Sequence, residues 1–177
     1  NPTKGAVITY WLQDVPDDNL SLTIADSDGT TLRTFSMKTA AAKKAEQDKP
    51  DDPKKLYLPA KAGWNRFVWD LRGEEATAIH HTDPQAGHVR GALVPYGEYT
   101  VTLTCGEESQ STTVNIIPDV LGDGAVDIIE AQSALMTQVR DLFDLAVTST
   151  HKLRDIRAQL DKWIERLQGS NNDALYE

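Results

Sequence analysis

A long apolar repeat in the last third of the chain constrains its fold more than any other feature. Residues 127–168 contain neither glycine nor proline, and apolar or small residues recur there at alternating steps of four and three. We call these ten positions the seam: Leu135, Val139, Leu142, Ala146, Ser149, Leu153, Ile156, Leu160, Trp163 and Leu167. A 3.5-residue period sustained over more than four heptads predicts a long amphipathic helix with a coiled-coil-like face.

The flanking residues set the bounds of this helix. Acidic residues lie near its start and basic residues near its end, as the helix dipole prefers, and Gly169 is placed to stop it. We therefore predict a helix over 127–168, a linker over 119–126 and a polar tail over 169–177. A weak point at 147–150, Val-Thr-Ser-Thr, leaves a helical hairpin as the alternative to one continuous helix, which we favour.

The length of the helix limits what its seam can contact. About 40 helical residues span roughly 60 Å, which exceeds the width of a domain of this size. Part of the seam must therefore face something other than the rest of this chain. Two interpretations stay open: a helix folded back over its own domain, or a surface for a partner or a second copy.

Residues 1–118 have the pattern of short antiparallel strands. Leu20, Leu22 and Ile24 alternate with polar residues, and a turn of sequence Asp-Ser-Asp-Gly at 26–29 leads into a return strand over 31–35. About seven such strands predict an immunoglobulin-like or fibronectin-III-like β-sandwich. The polar stretches 36–59 and 73–94 are expected to be solvated loops.

Four further strands are expected in the sandwich. They lie at 5–12, at 64–71, with Phe67, Trp69 and Leu71 on one face, at 95–103 and at 111–117. The single Cys105 excludes an intrachain disulfide and is interpreted as a small buried hydrophobic residue. The fold class is thus mainly β with an α appendage.

Charge and hydropathy exclude two classes of partner. The net charge of −9 and the pI near 4.9 repel phosphate backbones, so we expect no nucleic-acid binding. No stretch approaches the roughly 20 apolar residues of a membrane-spanning helix, so we expect no membrane insertion. The chain opens on Asn1-Pro2 without a signal-like segment, which suggests a fragment cut from a longer polypeptide.

No group of residues in the sequence predicts an active site. The metal-binding candidates lack a ligand spacing and are interpreted as a polar loop: His80, His81, His88 and Asp83. The acids Asp70, Glu74 and Glu75 have no identifiable partner for glycoside hydrolysis and are interpreted as solvated. We expect the turn at 26–29 and the linker at 119–124 to bind no calcium. Ser149 and His151 form no recognisable triad, so no catalytic residue, metal or cofactor is assigned.

Aromatic residues offer one binding hypothesis. Tryptophan and tyrosine are residue types that stack on sugar rings, and the candidates are Trp11, Tyr57, Trp64 and Tyr96. Burial in a core or between domains is the favoured interpretation for most of them. Trp163 belongs to the seam, where a helix–helix contact is its expected role.

Three segments carry a resemblance to a known family. They are 2–10 (PTKGAVITY), 58–72 (LPAKAGWNRFVWDLR) and 95–101 (PYGEYTV). They resemble the region after the β-propeller in large bacterial proteins with sortilin-type BNR repeats, which are often labelled glycosyl hydrolases. The first and last segments also resemble the immunoglobulin-like domain of flagellar hook-capping proteins. The BNR signature Ser-x-Asp-x-Gly-x-x-Trp does not occur in this chain, so no catalytic residue is carried over.

The resemblance implies a secreted or cell-envelope protein in which any hydrolase activity belongs to the propeller. The expected function of this chain is that of a non-catalytic accessory domain, which packs against an N-terminal propeller or mediates assembly through its helix. A homodimer through the helix is one form of that assembly. The alternative function is a carbohydrate-binding module with a polysaccharide as its partner.

Overall fold

The computed structural model describes residues 4–17, 19–39, 56–77, 90–118 and 126–169. Six strands and one helix occur among them. In chain order these are β1 (Ala6–Leu12), β2 (Leu20–Ala25), β3 (Thr31–Ser36), β4 (Gly63–Trp69), β5 (Gly97–Cys105), β6 (Glu108–Ile116) and α1 (Val126–Gly169).

The strands form two antiparallel sheets. β1 pairs with β4, so that Ala6 lies opposite Trp69 and Leu12 opposite Gly63. The second sheet has the order β3-β2-β5-β6, in which β2–β3 and β5–β6 are hairpins. The predicted fold class is confirmed: a mainly β domain of two sheets is followed by a long helix. The described residues contain six strands rather than the expected seven.

The core lies between the two sheets because alternate residues of β1 to β5 point inward, while β6 adds only the partly buried Val114 and Ile116. The ring centres of Phe35 in β3 and Phe67 in β4 are 4.8 Å apart, and those of Trp69 and Tyr99 in β5 are 5.7 Å apart. The buried apolar residues of this core are Tyr10, Leu12, Leu20, Leu22, Ile24, Phe35, Met37, Leu58, Phe67, Trp69, Val94, Tyr99 and Val101.

Two side chains fix the turns that place the strands. The Asp26 carboxylate accepts the backbone N–H groups of Asp28 at 3.0 Å and Thr30 at 2.8 Å, so this segment is a hairpin turn, as predicted. The buried Asn65 amide donates to the carbonyls of Lys61 at 2.8 Å and Gly63 at 3.0 Å. It thereby satisfies the backbone at the start of β4.

The end of β4 differs from the prediction. The strand stops at Trp69, because Leu71 has a φ of 58° and so leaves the extended conformation. Leu71 still packs against the core, but it does not continue the face of Phe67 and Trp69. The Trp69 indole donates to the Arg72 carbonyl at 2.9 Å, and the Leu71 carbonyl accepts the Val94 N–H at 2.9 Å.

Both segments predicted to be solvated loops have buried ends, so that expectation is wrong there. Met37 and Leu58 form a parallel bridge in the core. Ala76, Ala92 and Val94 are also buried. The polar residues between them obscured these short apolar ends. Residues 40–55 and 78–89 lie outside the described part of the chain.

The helix is continuous, as favoured, and the helical hairpin is contradicted. It extends one residue beyond the predicted range at each end. The hydroxyls of the expected weak point are satisfied within the helix, since Thr148 donates to the Asp144 carbonyl and Thr150 to the Ala146 carbonyl, both at 2.8 Å. Within the described ranges, no helix is long and apolar enough to cross a membrane. The linker residues 119–125 and tail residues 170–177 lie outside the described part of the chain.

Candidate interaction surfaces

The helix is attached to the sandwich by one stripe of residues that is not the seam. These partly or fully shielded positions, which we call the docking stripe, are Ile129, Ser133, Arg140, Phe143, Asp144, Val147, Thr148 and His151. Among them Val147 is buried, which removes an apolar side chain from water.

Polar contacts fix the docking stripe to residues 74–77. Thr77 donates its backbone N–H to the Asp144 carboxylate at 2.8 Å, and its hydroxyl donates to the same oxygen. The Arg140 guanidinium donates to the Glu74 carbonyl at 3.4 Å. The hydroxyl and the backbone N–H of Thr77 lower the pKa of Asp144 from its ordinary value, and the positive charge of Arg140 adds to this effect.

Residues 73–77, which contact the helix, are themselves hydrogen-bonded to β3 and to the segment before β5. The Glu74 N–H donates to the Leu32 carbonyl of β3 at 2.8 Å, and the Gly73 N–H donates to the Ala92 carbonyl at 3.0 Å. These bonds give the helix a fixed base rather than a free loop.

An arginine of β3 completes this base. Arg33 is only 6% exposed, and its guanidinium bonds to Glu75 at 2.9 Å and to Asp70 at 3.3 Å. It also lies 4.7 Å from the centre of the Phe35 ring. The interpretation of Asp70 and Glu75 as solvated acids is therefore wrong, because both neutralise a buried cation. Arg33 lies two residues before Phe35 in β3, and this spacing puts both side chains on the same, inner face.

The seam lies on a different face of the helix from the docking stripe and points away from the sandwich. All ten seam positions are exposed, including the large side chains of Leu142 and Leu153, each 67% exposed, and Trp163 at 61%. The structure therefore contradicts a seam folded back over its own domain. An apolar row of this length exceeds the scattered exposed hydrophobic residues of ordinary surfaces.

The second half of the seam extends beyond the sandwich. Every residue of 152–168 is exposed, and we call this stretch the distal arm. At 1.5 Å per residue it projects about 25 Å past His151, the last residue of the docking stripe. It carries the seam residues Leu153, Ile156, Leu160, Trp163 and Leu167.

A second apolar surface lies on the outer face of the β1–β4 sheet. Trp11 and Trp64 are cross-strand neighbours, and their exposed fractions are 55% and 74%. Val7, also exposed, lies further along the same face opposite Val68. The structure therefore contradicts burial of Trp11 and Trp64 in the core of this sandwich. Both β1 and β4 carry apolar residues on both faces, and the two indoles lie on the outer face.

Tyr96 does not join the two tryptophans. It lies three residues before Tyr99, whose ring contacts Trp69 at the end of β4. Trp64 stands five residues before Trp69, roughly 17 Å away along the strand. The candidates for sugar stacking thus comprise one adjacent pair, Trp11 and Trp64, and a half-buried tyrosine at the other end of the sandwich.

The other candidate residues form no metal centre in the described ranges. No group of three histidine, cysteine, aspartate or glutamate residues there could hold a metal ion. His80, His81, His88 and Asp83 lie outside those ranges. Ser149 is exposed on the helix, and Cys105 is half-buried at the end of β5. The Lys38 ammonium lies 5.3 Å from the centre of the Tyr57 ring.

Comparisons with known proteins add no relative. No protein family, no curated protein and no solved structure matches this chain.

Proposed function

We propose that this chain is a non-catalytic interaction domain that presents the seam of α1 to another protein. One observation carries the proposal: the helix is fixed to the sandwich by the docking stripe, while all ten seam positions are left exposed. A helix that served only to cover its own domain would turn its most apolar face inward.

The resemblance of the sequence to regions that follow BNR-repeat propellers suggests where such a domain works. In that setting the sandwich would pack against an N-terminal propeller in a secreted or envelope-associated protein, and the helix would mediate assembly. The fixed base under the helix supports a role in orientation, because Thr77 and Asp144 hold the helix at one place on the sandwich.

Stability measurements test whether the seam is free of the fold. We expect Leu153→Gln with Leu160→Gln to change the free energy of unfolding by no more than about 0.5 kcal/mol, as for ordinary surface positions. The matched control is Val147→Gln in the docking stripe, which loses about 2 kcal/mol of apolar burial. Strong destabilisation by the seam pair would mean that the seam packs within the chain, and the proposal would fail.

Crosslinking in the producing cells tests whether the seam binds a protein. A photoreactive amino acid at Leu160 is expected to give one discrete protein adduct, whereas the same group at Ala158, on the opposite side of the helix, gives none. The Leu153→Gln substitution should remove the adduct. Equal adducts from both positions would indicate non-specific contact and contradict the proposal.

A carbohydrate-binding module is the second candidate, and the Trp11–Trp64 pair favours it. Two exposed indoles side by side on a sheet offer an apolar surface of the kind that binds sugar rings. Trp11→Ala and Trp64→Ala should each abolish retention of the chain on insoluble polysaccharides, whereas Tyr96→Ala should not. Retention that survives the Trp11→Ala/Trp64→Ala double variant would eliminate this candidate.

A further inference from the structure

We infer that the distal arm pairs with an amphipathic helix of a different protein whose apolar face is flanked by acidic residues. This inference rests on the proposed function and specifies the chemistry of the partner. It follows from three features of residues 152–168: the period of the apolar positions, the charges beside them and the exposure of the whole stretch.

The period indicates a helical partner. Seam residues at steps of four and three stay on one line only when two helices wind around each other, because a 3.5-residue repeat then matches the supercoil. A short groove would engage one or two turns and would not require the repeat. The distal arm leaves room for a second helix, since every residue from Lys152 to Gln168 is exposed.

The charges beside the seam of the distal arm are all basic. The residues that directly flank it are Lys152, Gln159 and Arg166 on one side, and Thr150, Arg157 and Ile164 on the other. The Arg166 guanidinium lies 6.0 Å from the centre of the Trp163 ring, next to the seam. The acids Asp155, Asp161 and Glu165 occupy the remaining positions of the helix, away from the seam.

A second copy of this chain does not satisfy these charges. In a parallel pair, Lys152 of one copy faces Arg157 of the other, because flanking residues five apart meet across a coiled coil. An antiparallel pair also places no acidic residue opposite these basic residues, since none of the six flanking positions is acidic. Only a partner with acidic flanks complements Lys152, Arg157 and Arg166.

The charge of the distal arm opposes that of the whole chain. The arm has five basic and three acidic side chains, a net charge of +2, while the complete chain carries −9. The net charge of the whole chain alone therefore predicts attraction to basic partners. The basic residues beside the seam instead predict attraction to an acidic partner. At about 0.15 M salt the Debye length is about 8 Å, so contacts at the seam outweigh the distant charge of the sandwich.

Two designed peptides provide the test. Both are helices of about four heptads with leucine and isoleucine at the apolar positions, and they carry either glutamate or lysine at every flanking position. Fluorescence anisotropy would measure binding of each labelled peptide to the full chain. We expect the glutamate peptide to bind at least ~10-fold more tightly than the lysine peptide.

Charge reversal beside the seam provides a matched comparison. The Lys152→Glu/Arg157→Glu variant should reverse the preference toward the lysine peptide. The Arg154→Glu/Lys162→Glu variant changes the net charge equally, but on positions that do not flank the seam, and it should keep the preference for the glutamate peptide. Circular dichroism verifies that both variants retain the helix.

The outcomes separate this inference from the proposed function. Equal binding of both peptides, with loss of binding in Leu153→Gln/Leu160→Gln, would overturn the inference that the partner has acidic flanks. The seam would still be a protein-binding surface. Binding of neither peptide would overturn the inference, while the crosslinking at Leu160 decides the proposed function independently. Sedimentation that shows a dimer of the full chain, dissociated by Leu160→Gln, would identify a second copy as the occupant and overturn the inference as well.

Discussion

Arg33 of β3 and Glu75, in the segment beneath the helix, form a shielded ion pair at 2.9 Å. The pair joins the edge of the four-stranded sheet to residues 74–77, which in turn bind the docking stripe through Thr77 and Asp144. The position of the helix on the sandwich thus depends on a chain of contacts that begins inside the core. The seam takes no part in these contacts and is exposed.

Removal of the Glu75 charge should destabilise the protein. In Glu75→Gln, Arg33 stays buried with Asp70 as its remaining partner, and we expect a loss of about 1–3 kcal/mol in the free energy of unfolding, measured with denaturant. The Arg33→Met/Glu75→Gln double variant should recover part of this loss, because no buried cation remains. A change below about 0.5 kcal/mol in Glu75→Gln would show that the pair contributes no more than a surface contact.

The contact between Thr77 and Asp144 should weaken in acid. Two hydrogen bonds from Thr77 lower the pKa of Asp144, so they stabilise its charged form. This stabilisation is fully present above the ordinary pKa of an aspartate and is lost as the pH falls through the lowered value. Carboxyl NMR should show a pKa for Asp144 below that of an unstructured aspartate, together with loss of Thr77 amide protection at lower pH.

A Thr77→Val variant isolates the cause of that shift. It removes the hydroxyl donor and retains the backbone N–H, so the pKa of Asp144 should rise toward its ordinary value without reaching it. An Asp144 pKa that is the same in both proteins would contradict the assigned contact.

Alkaline titration should reveal the burial of Tyr10. Burial raises the pKa of this phenol to about 12, and its hydroxyl donates to the Pro59 carbonyl. Because the folded-state pKa lies above the unfolded value of about 10, the protonated phenol stabilises the fold below pH ~10. That contribution is lost as the pH rises from about 10 to about 12. Tyr10→Phe should reduce the slope of stability against pH in this window, and an unchanged slope would refute the assignment.

The sequence predicted the helix and the sheets because both depend on periodic patterns. The alternation of Leu20, Leu22 and Ile24 identified a half-buried strand, and the repeat from Leu135 to Leu167 identified one long helix. The same pattern did not decide which face of the helix meets the sandwich. Val147 belonged to a stretch of low helix propensity, yet it is the one fully buried residue of the docking stripe. Tertiary packing outweighs propensity at such a position.

The candidate surfaces were less predictable than the fold for a related reason. Trp11 and Trp64 are residue types that cores favour, and only the register of β1 with β4 places them together on the outer face. Arg33 was detectable in principle from its spacing with Phe35, but its partners Asp70 and Glu75 lie about 40 positions further along the chain. Pairing over that distance is set by topology, which no local pattern contains.

Tryptophan fluorescence should separate the exposed indoles from the buried one. Of the four tryptophans, Trp69 is fully buried, whereas Trp11, Trp64 and Trp163 are exposed. A Trp11→Phe/Trp64→Phe/Trp163→Phe variant, which retains only Trp69, should emit at shorter wavelength and resist acrylamide, while the unmodified chain is strongly quenched. If Trp11→Phe and Trp64→Phe leave the quenched fraction of the full chain unchanged, another segment covers the outer face of the β1–β4 sheet. That result would remove the surface on which a sugar or an adjoining domain is expected to bind, and it would leave the seam as the open apolar surface of the described chain.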